Sequence, residues 1–144
     1  MRNLTVENIL QVTGGKLLNG NKNTICENFA KDSRKIKKGD IYIGLKGENF
    51  KGSIFWKEAL ENGAEGVIVS DIEISETDIK KYPNKIIIKV EDTLKALYEI
   101  AKAKRKLYNI PVIAVTGSVG KTSTKDIVAS VVSQKYKTLK TIRK

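Results

Sequence analysis

The 144-residue chain carries 27 Lys and Arg against 16 Asp and Glu, a formal net charge of +11, and no histidine. The lack of histidine excludes Ser-His and Cys-His catalytic pairs and any His-ligated metal within these residues, and a single Cys26 excludes an internal disulfide framework. Apolar residues make up 40%, enough for a core. No run is long enough to span a bilayer, and the start lacks the apolar core of a signal peptide, so the expectation is a cytoplasmic protein with no membrane partner. The lysines are scattered, the densest cluster being Lys102 to Lys106, without an RNA-binding aromatic signature or a recognition helix. The positive excess reads as a solvated surface that also suits anionic phosphate ligands, and not as a nucleic-acid face.

In chain order, residues 4–12 read as a short amphipathic helix that Thr5 caps and Gly14-Gly15 stops. A strand is expected over 24–29, delivering Asp32-Ser33-Arg34, and a second over 41–45, followed by the loop Lys46-Gly47-Glu48-Asn49. Ser53 is placed to cap a helix over 53–62, with Gly63 as its stop. Residues 66–70 and 85–90 are β-branched runs that read as buried strands, and 71–84 reads as irregular. Asp92 opens the clearest helix, with Leu94, Leu97, Tyr98, Ala101 and Tyr108 as its apolar stripe and Pro111 beyond its end. A strand over 112–115, a helix over 121–134 and a final strand over 137–142 complete the pattern. Trp56 and Cys26 read as packing residues. Strands alternating with helices predict an α/β fold with a parallel or mostly parallel sheet.

The segment 112–124 reads Val-Ile-Ala-Val-Thr-Gly-Ser-Val-Gly-Lys-Thr-Ser-Thr. An apolar run, a glycine-containing loop and a helix-compatible stretch form the context of a phosphate-binding loop. Its glycines let successive N–H groups converge on one anion, and the helix start adds partial positive charge. Lys121 can reach a β/γ-phosphate, and the Thr122 hydroxyl can sit on Mg²⁺. The usual spacing places glycine at 115, where this chain has Val115, with its glycine at 117. A chance Gly-Lys-Thr in an ordinary strand-to-helix turn is the competing reading. About 33 residues are too few to complete such a domain, so the second half is expected to be the opening unit of a larger one and the chain a fragment.

Three blocks in this order resemble the Mur ligases of peptidoglycan synthesis: residues 32–48, beginning Asp32-Ser33-Arg34, residues 59–69, and residues 116–126 around Gly117, Gly120 and Lys121. The displaced glycine at 117 is the form that family uses. Lys125-Asp126, the 93–97 stretch and Gln134-Lys135-Tyr136 are most similar to the member that adds D-alanyl-D-alanine to a UDP-N-acetylmuramoyl tripeptide. The resemblance implies a small N-terminal UDP-substrate-binding α/β domain over 1–90, followed over 91–144 by the first βαβ portion of a P-loop ATPase domain. It also implies an ATP-dependent ligase, working through an acyl-phosphate, that becomes inactive when reduced to these residues.

For individual residues, the resemblance implies that Gly117, Ser118, Val119, Gly120, Lys121, Thr122 and Ser123 bind ATP. Lys121 and Thr122 would be catalytic, and Thr122 would hold Mg²⁺. Ser33, Arg34, Lys46 and Asn49 would contact the UDP substrate. Without the family, Asp32-Ser33-Arg34 reads first as a turn in which Asp32 caps a backbone N–H and Arg34 is solvated. The family's Asp-Gly-His after this region is replaced by Lys51-Gly52-Ser53. A monomer is expected. The alternatives are the preceding Mur ligase, which adds a diamino acid, and a stand-alone UDP-sugar-nucleotide binding module.

Overall fold

The computed structural model describes residues 3–47 and 51–142, which fall into two compact units, Met1–Asn109 and Ile110–Lys144. In the first unit, β1 (Leu4–Thr5) leads into α1 (Val6–Thr13). Thr5 and Asn8 form a reciprocal capping box at the start of α1, and Gly14, at φ +66°, closes its end. β2 (Lys16–Asn19), β3 (Ile25–Cys26) and β4 (Asn28–Ala30) follow, then β5 (Asp40–Ile43), α2 (Trp56–Glu61) and β6 (Gly66–Val69). α3 (Glu76–Lys80), β7 (Ile86–Lys89) and α4 (Thr93–Lys106) complete the unit.

The main sheet has five strands in the order β2-β7-β6-β5-β4, with β4 to β7 mutually parallel and β2 antiparallel to β7. β1 and β3 form a separate antiparallel pair. Alternation along the central strands divides the core into two layers. Ile41, Ile43, Ile68, Ile86 and Ile88 face Val6 and Ile9 of α1 and Ala96 and Ile100 of α4. Tyr42, Val67, Val69 and Ile87 face Trp56, Ala59 and Leu60 of α2. Each such aliphatic side chain contributes about 1.5–3 kcal/mol relative to remaining exposed. Trp56 packs edge-on against Tyr82, with ring centroids 5.7 Å apart.

Several expected elements shift. The 24–29 strand is two short strands in different sheets, and β2 lies where none was expected. Ser53 caps no helix; it sits in a 3₁₀ turn (Gly52–Phe55) ahead of α2. The 71–84 connection contains α3, whose start is capped by Ser75. On α4 the buried face is Thr93, Ala96 and Ile100; Leu97 of the expected stripe packs against that core, whereas Leu94 and Tyr98 are exposed. The stripe drawn through Leu94 and Tyr98 is thus rotated from the one that packs: small Ala96 admits the close approach to α1 that a larger side chain blocks. That packing also carries the first compact unit through Asn109, beyond the 90/91 division expected from sequence.

In the second unit α5 (Lys121–Ser133) forms essentially as expected. Residues 112–115 and 137–142 do not form strands. A strand needs a ladder neighbour for its N–H and C=O groups, and no strand occurs among the described residues of this unit to supply one. The α/β class holds, carried by the first unit. No helix among the described residues is long and apolar enough to cross a membrane.

Candidate functional site

Parallel strands β4 to β7 direct their carboxyl ends to one edge of the sheet, the edge at which open α/β sheets bind ligands. A cleft of about 430 Å³ opens there, beside the 3₁₀ turn (Ser33–Lys35) that follows β4. Lys31, Asp32, Ser33 and Arg34 form one wall, and Tyr42 with Phe55 and Glu58 from the α2 region forms the other.

The turn is held rigidly. Asp32 Oδ1 accepts from Arg34 N at 3.1 Å and Arg34 Nε at 2.9 Å, while Oδ2 accepts from the guanidinium at 3.1 Å. These hydrogen bonds hold the Asp32 carboxyl below its usual range and raise Arg34. Ser33, buried, donates from Oγ to Glu58 Oε1 at 3.3 Å, and its carbonyl accepts from Asn62 Nδ2 at 3.0 Å. Asp32 makes the turn, as the turn reading expects, and the turn lines the cleft. Tyr42 is buried beneath it, which, with the Glu58 and Asp32 charges, pushes its phenol up to about 12.

Lys46 does not join this cleft. Its ammonium pairs with Asp71 at 2.7 Å, and Asp71 borders a second recess of about 330 Å³ with Lys89 and Glu91. The pairing raises Lys46 and lowers Asp71 from their ordinary values, mainly through the hydrogen bond between them. Asn49 lies outside the described residues. Where the family pattern breaks, Ser53 is nearly fully buried: its Oγ donates to Gly44 O at 3.1 Å and accepts from Ser70 N at 3.0 Å. Tyr42 Oη donates to Gly52 O at 2.8 Å. A Cβ on Gly44 would meet Ser53 Cα at 2.6 Å, and one on Gly52 would meet Leu45 O at 2.6 Å. Two glycines and a small serine thus let the chain fold back on itself between β5 and β6.

In the second unit, Gly117 and Gly120 have positive φ, +147° and +77°, which glycine adopts without strain. Gly120 opens α5, whose first turn has no side-chain cap. Lys121 Nζ donates to the carbonyl of Gly117 and lies 3.5 Å from that of Ser118. Ser118, Val119, Thr122 and Ser123 are exposed around it. Uncapped N–H groups, an ammonium and three hydroxyls form a donor set that suits a polyphosphate. For a divalent cation Thr122 offers one hard oxygen, and no cluster of three or more His, Cys, Asp or Glu among the described residues could hold a metal. Cys26 is no nucleophile: burial, ahead of the Glu65 charge, pushes its thiol up to about 11.

Glu58 and Asn62 were not singled out from sequence, and Phe55, at the start of α2, was expected only to pack. Their partner, the turn after β4, is remote in sequence, and spacing alone does not reveal it.

A model described as "Mur ligase family, catalytic domain" matches residues 28–105. The UDP-N-acetylmuramoyl-tripeptide–D-alanyl-D-alanine ligase of Bacillus subtilis is 37% identical over 139 residues, covering 95% of this chain and 29% of that protein. The crystal structure of MurF from Acinetobacter baumannii superposes with a TM-score of 0.77 at 28% identity, over 94% of this chain and 28% of its own. MurF ligase from Thermotoga maritima in complex with ADP superposes with a TM-score of 0.63 at 31% identity, over 76% and 24% respectively. The chain therefore spans under a third of the length of these relatives. With more than half of its residues inside the family match, the chain belongs to the Mur ligase family.

Proposed function

We propose that the chain is part of an ATP-dependent ligase that adds D-alanyl-D-alanine to UDP-N-acetylmuramoyl tripeptide as a cytoplasmic monomer. The observation that carries this reading is the cleft at the carboxyl edge of the parallel sheet, walled by Ser33 and Arg34, in a chain 37% identical to a ligase of that name. In this reading the first unit binds the uridine nucleotide. Ser33 hydrogen-bonds it and Arg34 meets its diphosphate, while Lys46, which stands outside this cleft, and Asn49 are assigned to parts of the same substrate beyond the nucleotide.

The second unit holds ATP, which supplies the phosphoryl group that activates the substrate carboxylate. Gly117, Ser118, Val119, Gly120 and Ser123 wrap the phosphates through backbone N–H groups and hydroxyls. Lys121 would neutralise charge on a bound phosphoryl group in place of its carbonyl partners, and Thr122 would offer one oxygen to Mg²⁺. The D-alanyl-D-alanine amine would then attack the resulting acyl-phosphate, forming the amide bond as inorganic phosphate leaves.

Calorimetry on the 144-residue chain separates the two nucleotides. Lys121→Ala is expected to abolish ATP binding and leave UDP-N-acetylmuramoyl peptide binding intact. The Ser33→Ala, Arg34→Ala double variant is expected to do the reverse, and Thr122→Ala to remove the Mg²⁺ dependence of ATP binding. Failure of the unaltered chain to bind either nucleotide, or loss of the same ligand in both variants, overturns the proposal.

A further inference from the structure

The first cleft contains two carboxylates in unequal situations. Asp32 is fully engaged, both oxygens accepting from Arg34. Glu58 accepts only from Ser33 Oγ, at a long 3.3 Å, and among the described residues it has no cationic partner within ion-pair distance. A carboxylate left open in a cleft for a doubly charged diphosphate repels its ligand unless it faces hydrogen-bond donors. A uridine nucleotide has few such donors. The uracil N3–H is flanked by two carbonyl oxygens, which repel an approaching carboxylate. The ribose presents two adjacent hydroxyls, whose spacing suits the two oxygens of one carboxylate, the same chemistry by which acidic residues read ribose in dinucleotide folds.

The charge layout agrees with that orientation. On the wall formed by the turn, Lys31 and Arg34 outnumber the one Asp32 carboxylate that Arg34 holds, which leaves it net positive, and Phe55 offers an apolar ring on the wall that carries Glu58. Ser33 links the walls and can accept a ligand hydrogen bond while donating to Glu58. We propose that Glu58 is the ribose-recognising residue of this cleft, its carboxylate accepting hydrogen bonds from the 2′- and 3′-hydroxyls of the uridine nucleotide. This rests on the reading of the cleft as a uridine-nucleotide site. It makes Glu58 a determinant of ribonucleotide over deoxyribonucleotide.

The test is calorimetric titration of the 144-residue chain with UDP and with 2′-deoxy-UDP. The unaltered chain is expected to prefer UDP about tenfold, the effect of one charge-assisted hydrogen bond. Glu58→Ala is expected to weaken UDP about tenfold to a hundredfold and 2′-deoxy-UDP less, so that the preference falls toward one. Glu58→Gln, which keeps the side chain's shape and one acceptor, is expected to give an intermediate preference, and it decides the matter if the alanine variant fails to fold. Equal affinities in the unaltered chain, or a preference that survives Glu58→Gln undiminished, overturns the ribose assignment and leaves the proposed function standing. No UDP binding by the unaltered chain overturns the proposed function and this inference with it.

Discussion

Val67 and Val112 each stand in a short run of β-branched residues, yet Val67 is fully buried and Val112 is 66% exposed. The first lies in β6, between β5 and β7, where every backbone group meets a neighbour and both faces meet helices. The second lies in a unit whose only regular element among the described residues is α5. The same contrast separates Ile68, buried, from Ile127 on α5, 65% exposed. An apolar β-branched run becomes a strand only when neighbours complete it. Helix α5 needs no such partner for its backbone, and it forms in both the sequence reading and the structure.

Truncation in the core tests this contrast most forcefully. Ile68→Ala is expected to destabilise the chain by about 2–5 kcal/mol in urea unfolding, and Ile127→Ala to remain within about 0.5 kcal/mol. Equal losses would break the comparison. Next in size is the backbone crossing between β5 and β6. Ser53→Ala leaves the Ser70 N–H and the Gly44 carbonyl without their partner, at an expected cost of about 1–3 kcal/mol. Ser123→Ala on exposed α5 is expected to leave the unfolding midpoint unchanged. A silent Ser53→Ala would show that the crossing is held by its glycines alone.

The helix starts differ in the same sense. α4 is closed by Asp92, whose carboxylate accepts from Leu94 N at 2.7 Å and Lys95 N at 2.9 Å, whereas α5 opens on Gly120 with no side-chain cap. Asp92→Ala is expected to cost about 1 kcal/mol and to speed amide exchange in the first turn of α4 by about fivefold if that whole cost appears as local opening. Loss of stability without faster exchange there would place the effect of Asp92 elsewhere.

Much of the first unit was legible because local signals agreed with tertiary packing. Thr5 and Asp92 cap the helices they were expected to cap, and the β-branched runs around Val67 and Ile87 are strands. The misplaced stripe on α4 shows the limit. Leu94 and Tyr98 are more apolar than Thr93 and Ala96, but the close approach to α1 selects the smaller residues, and only the partner helix shows that. In the candidate site, Ser33 and Arg34 were visible as a motif. Glu58 and Asn62, which hold the turn after β4, were not, because their contacts to Ser33 run over 25 and 29 residues of chain.

The smallest expected effect concerns Thr93, which lies on the face of α4 that packs. Its side chain is wholly buried, and among the described residues its Oγ1 has no hydrogen-bond partner. In a helix interior a threonine hydroxyl can bond the carbonyl one turn earlier, but Thr93 is the first residue of α4 and has no preceding turn to meet. A buried unpaired hydroxyl is costly, and an apolar residue of the same shape removes that cost without opening a cavity. Thr93→Val is therefore expected to be neutral or to stabilise by up to about 1 kcal/mol in urea unfolding. A loss of stability would show that the hydroxyl has a partner in solution, and the apolar packing of α4 on the sheet would then be less complete than the contrast with α5 implies.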